Sequence, residues 1–203
     1  MTNRETTSLE DQKAALRKTM SGIRKEAALD LNAAGELAEF ATALLEIFKP
    51  QPDSIVAGYW PIRTELDPRP LMQKLAMAGL VTSLPATPEP GKPLNFHLWR
   101  EGDPVIDGLY GTSEPGPDSP QCAPDILLVP MLAFDDDCFR LGYGGGFYDR
   151  SLAVLRQHKQ EVRAVGIAFA SQRVQHVPRG EHDARLDAVL TPEGFVLPEQ
   201  GVN

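Results

Sequence analysis

The sequence predicts an α/β fold with a mainly parallel sheet flanked by helices, and three observations carry that prediction. Short apolar runs that suit buried strands fall at residues 54–60, 80–84, 126–129, 162–170 and 187–191. Between them lie segments whose apolar residues recur at helical spacing, the alternation expected of strand–helix–strand units. Finally, residues 140–150 (Arg-Leu-Gly-Tyr-Gly-Gly-Gly-Phe-Tyr-Asp-Arg) place a glycine-dense loop between a strand and a helix.

The chain has 203 residues, 42% of them hydrophobic, which suits one domain over residues 1–203 with a sizeable core. Its net charge of −8 argues against nucleic acid, because a phosphate backbone would be repelled except at a local basic patch. Cys122 and Cys138 are the only cysteines, lack a CxxC arrangement, and read as two reduced thiols. The N-terminus carries Arg4, Glu5, Glu10 and Asp11 without an apolar core, so no signal peptide is expected. The longest apolar run, residues 126–134, contains Pro130 and is too short to span a bilayer. A cytoplasmic monomer without a membrane partner is the expectation.

Residues 1–9 are polar and are expected to fray. A helix follows from Glu10, with Leu16, Met20, Ile23 and Ala27 as its apolar stripe. Ser8 or Thr7 can cap it, with Asp11 or Glu10 three residues on. Lys13 and Arg17 are four apart and share a face; on spacing alone they read as a solvated basic pair. A second helix is predicted over 32–48, striped by Leu37, Phe40, Ala41, Leu44 and Phe48 and stopped by Pro50 and Pro52. The strand at 54–60 ends at Pro61. The polar stretch after it, holding Arg63 and Glu65, lies at the carboxyl edge of the sheet, where open α/β sheets bind ligands. A short helix spans 70–78 with Gly79 just past its end. The alternation at 94–99 suggests an exposed or edge strand with His97 at the surface. Residues 101–124, rich in Gly, Pro and Asp, read as one long loop. After the glycine loop, a helix runs to about Lys159. The polar segment 172–185 then holds His176, His182 and Asp183.

Gly142, Gly144, Gly145 and Gly146 concentrate backbone freedom in one turn. Ordering glycine costs about 0.5–1 kcal/mol per residue relative to alanine, a cost tolerated where the backbone takes positive φ or approaches a ligand closely. Strand, glycine loop and helix form the layout of a phosphate site, where bare N–H groups and the positive helix end meet anionic oxygens. The loop lacks the Gly-Lys-Ser/Thr of a Walker A motif, and Phe147 stands where a dinucleotide fingerprint has its third glycine. A glycine-rich hairpin is the bland reading. Two arginines, two tyrosines and an aspartate in or beside the loop weigh against it, since turning needs none of them.

Pro130, Leu132-Ala133 and Phe134-Asp135, followed by the run from Arg140 to Arg150, resemble the 5-formyltetrahydrofolate cyclo-ligase family, also called 5,10-methenyltetrahydrofolate synthetases. The resemblance covers nearly the whole chain. Lys13-x-x-Leu16-Arg17 is similar to the family's N-terminal helix, and Tyr59-Trp60-Pro61 with Glu65 to its folate-contacting strand and loop. Residues 94–99, Gly111 and Glu114-Pro115 match its middle, and Val177-Pro178, His182-Asp183 and Asp187 its C-terminal segment.

That resemblance implies a Rossmann-like open sheet. It also implies conversion of 5-formyltetrahydrofolate to 5,10-methenyltetrahydrofolate with ATP and Mg²⁺, releasing ADP and phosphate through a phosphorylated formyl (iminium phosphate) intermediate. Carried over, Lys13 and Arg17 would meet ATP phosphates, and Arg140, Leu141, Gly142, Tyr143, Gly144, Gly145, Gly146, Phe147 and Tyr148 would form the ATP loop. Asp149 would hold Mg²⁺, with Asp183 or Asp187 as a second candidate. Glu65 would hydrogen-bond the pterin or N10 region, and Trp60 and Tyr148 would offer flat faces to the folate rings. Many members carry Arg and Lys where this chain has Tyr143 and Gly145. The cations left for the transferring phosphoryl group are Arg140, Arg150, Lys13, Arg17 and the metal. A nucleotide- or folate-binding protein without ligase chemistry, and a sugar-phosphate isomerase or acyltransferase on a similar fold, are the alternatives.

Overall fold

The structure, a computed structural model, describes residues 8–159, 161–181 and 183–198. The expected fraying at residues 1–7, the alternative cap Thr7, and His182 lie outside the described residues. Ser8 and Leu9 do not fray. Ser8 accepts a hydrogen bond from the Asp11 amide at 3.1 Å and caps helix α1 (Leu9–Ala27), satisfying one of its free N–H groups. The inner face of α1 carries Leu16, Met20, Ile23 and Ala27, as the stripe predicts, and Met20 is buried.

The helix predicted over 32–48 is two helices, α2 (Ala33–Glu39) and α3 (Ala41–Phe48). The break falls at Phe40, whose amide reaches back only three residues, to the Leu37 carbonyl at 3.2 Å. Its ring packs edge-on against Phe195 at 6.3 Å, an anchor that apolar periodicity cannot reveal. Strand β1 (Ile55–Ala57) follows, then α4 (Arg69–Met77) with Gly79 at φ +99 beyond its end, then β2 (Val81–Ala86).

Strand β3 (Asn95–Leu98) is not an edge: β6 (Gln121–Cys122) pairs outside it. His97 is accordingly buried, its Nδ1 lying 2.7 Å from the Ser119 carbonyl oxygen, rather than at the surface. The predicted loop 101–124 also holds structure. Strands β4 (Val105–Asp107) and β5 (Ser113–Pro115) form an antiparallel hairpin around a 3-10 turn at Leu109–Gly111. Glu114 braces this hairpin from a buried position, accepting from the Thr87 amide at 2.8 Å and the Thr112 hydroxyl at 2.7 Å. Short strands broken by Gly and Pro give too few alternating positions to read.

Strand β7 (Ile126–Pro130) leads into a small antiparallel pair, β8 (Ala133–Phe134) and β9 (Arg140–Leu141), and the glycine loop then opens α5 (Phe147–His158). The chain closes with β10 (Arg163–Ile167), β11 (Ala188–Thr191) and β12 (Gly194–Val196), the last of which has no clear signal in the sequence.

The main sheet has the order β12-β11-β10-β7-β1-β2-β3-β6. Pairing from β11 through β2 is parallel, while β12, β3 and β6 join antiparallel. This is the open, mainly parallel sheet with flanking helices expected from the sequence. Strand β7 shows why its apolar run is continuous. Ile126 and Leu128 pack with α2, α3 and α4, whereas Leu127 and Val129 pack with Leu152 of α5 on the other face. Alternate side chains point to opposite faces, so a strand covered on both sides needs apolar residues throughout. Fully burying each such side chain stabilises the fold by roughly 1.5–3 kcal/mol.

β1 pairs with β2 on one side and β7 on the other, so the chain winds outward in opposite directions from this pair. Such a switch point leaves a crevice beyond the carboxyl ends of its strands. Residues after β1 and at the end of β7 line a cavity there. Among the described residues, no helix is long and apolar enough to cross a membrane.

Candidate active site

The cavity has a volume of about 560 Å³. Its walls come from α1, the segment after β1, the β4–β5 hairpin and the glycine loop. Lys13, Arg17, Trp60, Glu65, all residues from Arg140 to Asp149, and Asp183 line it. Residues from both ends of the chain are thus brought together.

One side is basic. Lys13 and Arg17, one turn apart on α1, both face inward and are partly buried. Lys13 Nζ donates to Asp183 Oδ2 at 2.6 Å. Burial pushes the Asp183 carboxyl up, but hydrogen bonds from Lys13 and the Gly180 amide, with the charges of Lys13 and Arg140, together hold it below the usual carboxylate range. Arg17 Nε donates to the Gly142 carbonyl at 3.0 Å. Gly144 takes φ +98, and a Cβ there would stand 3.2 Å from Arg17 Nη2. The left-handed backbone favours glycine here, and a Cβ would press on the Arg17 guanidinium.

The loop is clamped at both ends. Arg140 donates through Nη1 to the Ala184 carbonyl and through Nη2 to Asp149 Oδ1, both at 2.7 Å. Asp149 Oδ1 also accepts from the Ala184 amide at 3.0 Å. Asp149 lies in the first turn of α5, where a carboxylate is favoured by the helix dipole.

The other side is aromatic and acidic. Trp60 is pinned by the Arg69 guanidinium 4.3 Å over its ring and by the edge of Trp99 at 6.0 Å. Tyr59, in the stretch that resembles the folate-contacting strand, is buried and donates to the Leu66 carbonyl at 2.7 Å. Burial, reinforced by the charge of Glu65, drives the phenols of Tyr59 and Tyr148 well above their ordinary value, so both stay protonated. Glu65 Oε2 accepts from the Ile62 amide at 2.9 Å. Its carboxyl is raised by burial, against the pull of the Ile62 amide, Arg24 and Tyr143.

Two features of the site escape sequence reasoning. Arg24, 3% exposed, donates to Thr64 Oγ1 at 3.1 Å and to the Tyr143 hydroxyl, with Glu65 Oε1 at 3.9 Å. The available signal is its place on the face of Lys13 and Arg17, two turns beyond the latter. Tyr110, at φ +62 on the hairpin tip, leans towards Phe147 with ring centroids 6.2 Å apart. It lines the cavity.

Two predicted site residues stand elsewhere. Arg150 does not line the cavity. It donates to the carbonyls of Lys92 at 3.2 Å and Gly145 at 2.6 Å, bracing the loop from outside. Asp187 precedes β11, at the opposite end of the sheet from the cavity. There it accepts from the Ala164 amide at 2.7 Å and pairs with Arg156 and Arg163. Its nearness to Asp183 in sequence is undone by the extended chain between them. No cluster of three or more His, Cys, Asp or Glu that could hold a metal occurs among the described residues. Asp149 Oδ2 and Asp183 Oδ1 carry no hydrogen bond among the described residues, which suits a cation that brings most of its own ligands.

Comparison with known proteins bears on this site. A family model described as the 5-formyltetrahydrofolate cyclo-ligase family matches residues 9–192. The chain is 35% identical over 142 residues to the 5-formyltetrahydrofolate cyclo-ligase of Escherichia coli K12, covering 68% of this chain and 77% of that protein. Similarity to the Haemophilus influenzae enzyme of that name is 33% over 140 residues, covering 66% and 74%. The solved structure of Aquifex aeolicus 5,10-methenyltetrahydrofolate synthetase superposes with a TM-score of 0.73 at 25% identity, covering 94% of this chain and 95% of that one.

Proposed function

The chain belongs to the 5-formyltetrahydrofolate cyclo-ligase family, and from that premise we propose that it converts 5-formyltetrahydrofolate to 5,10-methenyltetrahydrofolate at the expense of ATP, with Mg²⁺. The observation that carries this reading is a single cavity with two chemically distinct sides. A glycine loop with Lys13 and Arg17 faces an aromatic and acidic wall of Trp60, Tyr148 and Glu65. The first side suits a polyphosphate and the second a flat, hydrogen-bonding heterocycle.

A formamide oxygen is a poor leaving group, and its phosphorylation is the chemical problem to be solved. The formyl oxygen attacks the γ-phosphorus and ADP departs, leaving an N5-iminium phosphate. N10 then bonds to the activated carbon, the C–O bond breaks, phosphate leaves and N10 gives up its proton. Phosphoryl transfer needs positioning and charge neutralisation more than covalent participation by the protein. Lys13 and Arg17 supply positive charge, and the amides from Gly142 to Gly146 supply donors. Arg140 keeps the loop in shape through Asp149 and Ala184. Glu65 orients the N10 side of the folate. Mg²⁺, bound with the nucleotide, would neutralise phosphate charge beside Asp149 and Asp183.

Purified protein mixed with 5-formyltetrahydrofolate, ATP and Mg²⁺ tests the reading. The methenyl chromophore should grow in the near ultraviolet with matching ADP release, and should not grow without ATP or in the Asp149→Ala variant. Folded protein that binds both ligands yet releases no ADP would overturn it in favour of a binding protein.

A further inference from the structure

Arg24 is a buried guanidinium that the phosphoryl-transfer scheme does not use. Each arm of its fork reaches a different segment around the cavity. Nε donates to Thr64 Oγ1 at 3.1 Å, Nη1 lies 3.4 Å from the Met131 carbonyl oxygen and 3.9 Å from Glu65 Oε1, and Nη2 donates to the Tyr143 hydroxyl. Glu65 belongs to the acidic wall and Thr64 directly precedes it, whereas Tyr143 belongs to the glycine loop. Within residues 142–146 Tyr143 is the only residue with a side chain. Among the described residues, its hydroxyl is the side-chain group through which residues 142–146 reach Arg24.

We propose that Arg24 is a positioning residue that couples the two halves of the cavity, so that a nucleotide on the glycine loop tightens binding of the folate beside Glu65. This rests on the function proposed above. The physical basis is the sharing of one rigid group. A guanidinium is planar, and its donors cannot move independently. Whichever ligand fixes Tyr143 also fixes the plane of Arg24, and with it Thr64 and Glu65. The second ligand then meets a wall that is already ordered, and positive cooperativity follows without any large movement. Thermodynamic linkage requires the effect to be reciprocal.

The test is calorimetric titration of 5-formyltetrahydrofolate with and without a saturating non-hydrolysable ATP analogue and Mg²⁺, and the reverse titration. In the unmodified protein each ligand should tighten the other by the same factor, about 5-fold or more. Tyr143→Phe removes one hydroxyl from a half-exposed ring, and should bring that factor to about 1-fold, meaning no coupling. Arg24→Lys keeps the charge but cannot serve Thr64, Glu65 and Tyr143 together, and should do the same. The readout is a ratio, so a change in either separate affinity cancels. A melting curve on each variant verifies that it is folded. A ratio near one in the unmodified protein, or an unchanged ratio in folded Tyr143→Phe, overturns the coupling and leaves the cyclo-ligase reading standing. Failure of the unmodified protein to bind either ligand at all sinks both.

Discussion

Arg140 Nη2 lies 2.7 Å from Asp149 Oδ1, so the strand that opens the glycine loop is tied to the helix that follows it. Their side chains are 5% and 29% exposed, which keeps the pair largely out of water. Removing one partner leaves the other short of its hydrogen bonds. Arg140→Ala should cost about 1.5–3 kcal/mol of stability, the range for a hydrogen bond to a charged group. Turnover should fall about 100-fold as the loop loses its shape. Urea melts and ADP release measure the two effects, and unchanged turnover would sink the assignment. A double-mutant cycle with Asp149→Ala should show strong non-additivity, because the two residues share one interaction.

Two glycines in the loop should respond differently to alanine. Gly142 has open space around a would-be Cβ, and its φ lies outside the left-handed region. Gly144 has φ +98 and Arg17 at 3.2 Å. Gly144→Ala should cost at least about 1 kcal/mol, the penalty for a left-handed L-residue, and should displace Arg17. Gly142→Ala should stay within about 0.5 kcal/mol of the parent. Equal melting temperatures for the two variants would contradict this account of the loop.

Much of this architecture is legible in the chain. Residues 126–129 announce a strand covered on both faces because nothing in the run is polar. The glycine loop stands out because its cost in backbone entropy needs a reason. Arg24 does not stand out, since a lone arginine on a helix is normally solvated and only the fold brings Thr64, Glu65 and Tyr143 to it. Tyr110 is hidden because the strands that carry it are three residues long. Arg150 and Asp187 stand away from the cavity for one reason: both lie close in sequence to lining residues, and residues close in sequence need not share a face.

The Lys13–Asp183 pair makes a prediction with a definite pH sign. Asp183 is held below its unfolded value, so its contribution to stability is present above the unfolded pKa and is lost as pH falls through the folded one. Lys13→Ala should therefore flatten the acid side of the stability curve, read as urea midpoints between about pH 2 and 5. The same variant should weaken ATP binding about 10-fold, a charge-assisted contact being worth about 1.5–3 kcal/mol. Retention of the parent's acid slope would show that Lys13 does not hold the Asp183 carboxylate.

Glu65 should show the opposite sign. Burial raises its folded pKa, so the folded state takes up a proton more readily than the unfolded chain. Its favourable contribution is complete below the unfolded value and is lost as pH rises through the folded value. A tenfold difference in proton affinity between the folded and unfolded states corresponds to about 1.4 kcal/mol. Glu65→Gln has nothing to ionise. Its stability relative to the parent should improve as pH rises from the ordinary carboxylate range, then level off above the folded pKa of Glu65. The trend is the readout: the attraction of Arg24, 3.9 Å away, acts only on the ionised carboxyl and already counts in the raised folded pKa of Glu65. Activity should part company with stability here. Glutamine offers one neutral carbonyl acceptor in place of two anionic oxygens, so turnover should fall in the pH range where the parent's Glu65 is ionised, even as the fold gains stability there. A variant whose stability difference from the parent is flat across pH would place the Glu65 carboxyl in water rather than behind Tyr143 and Arg24.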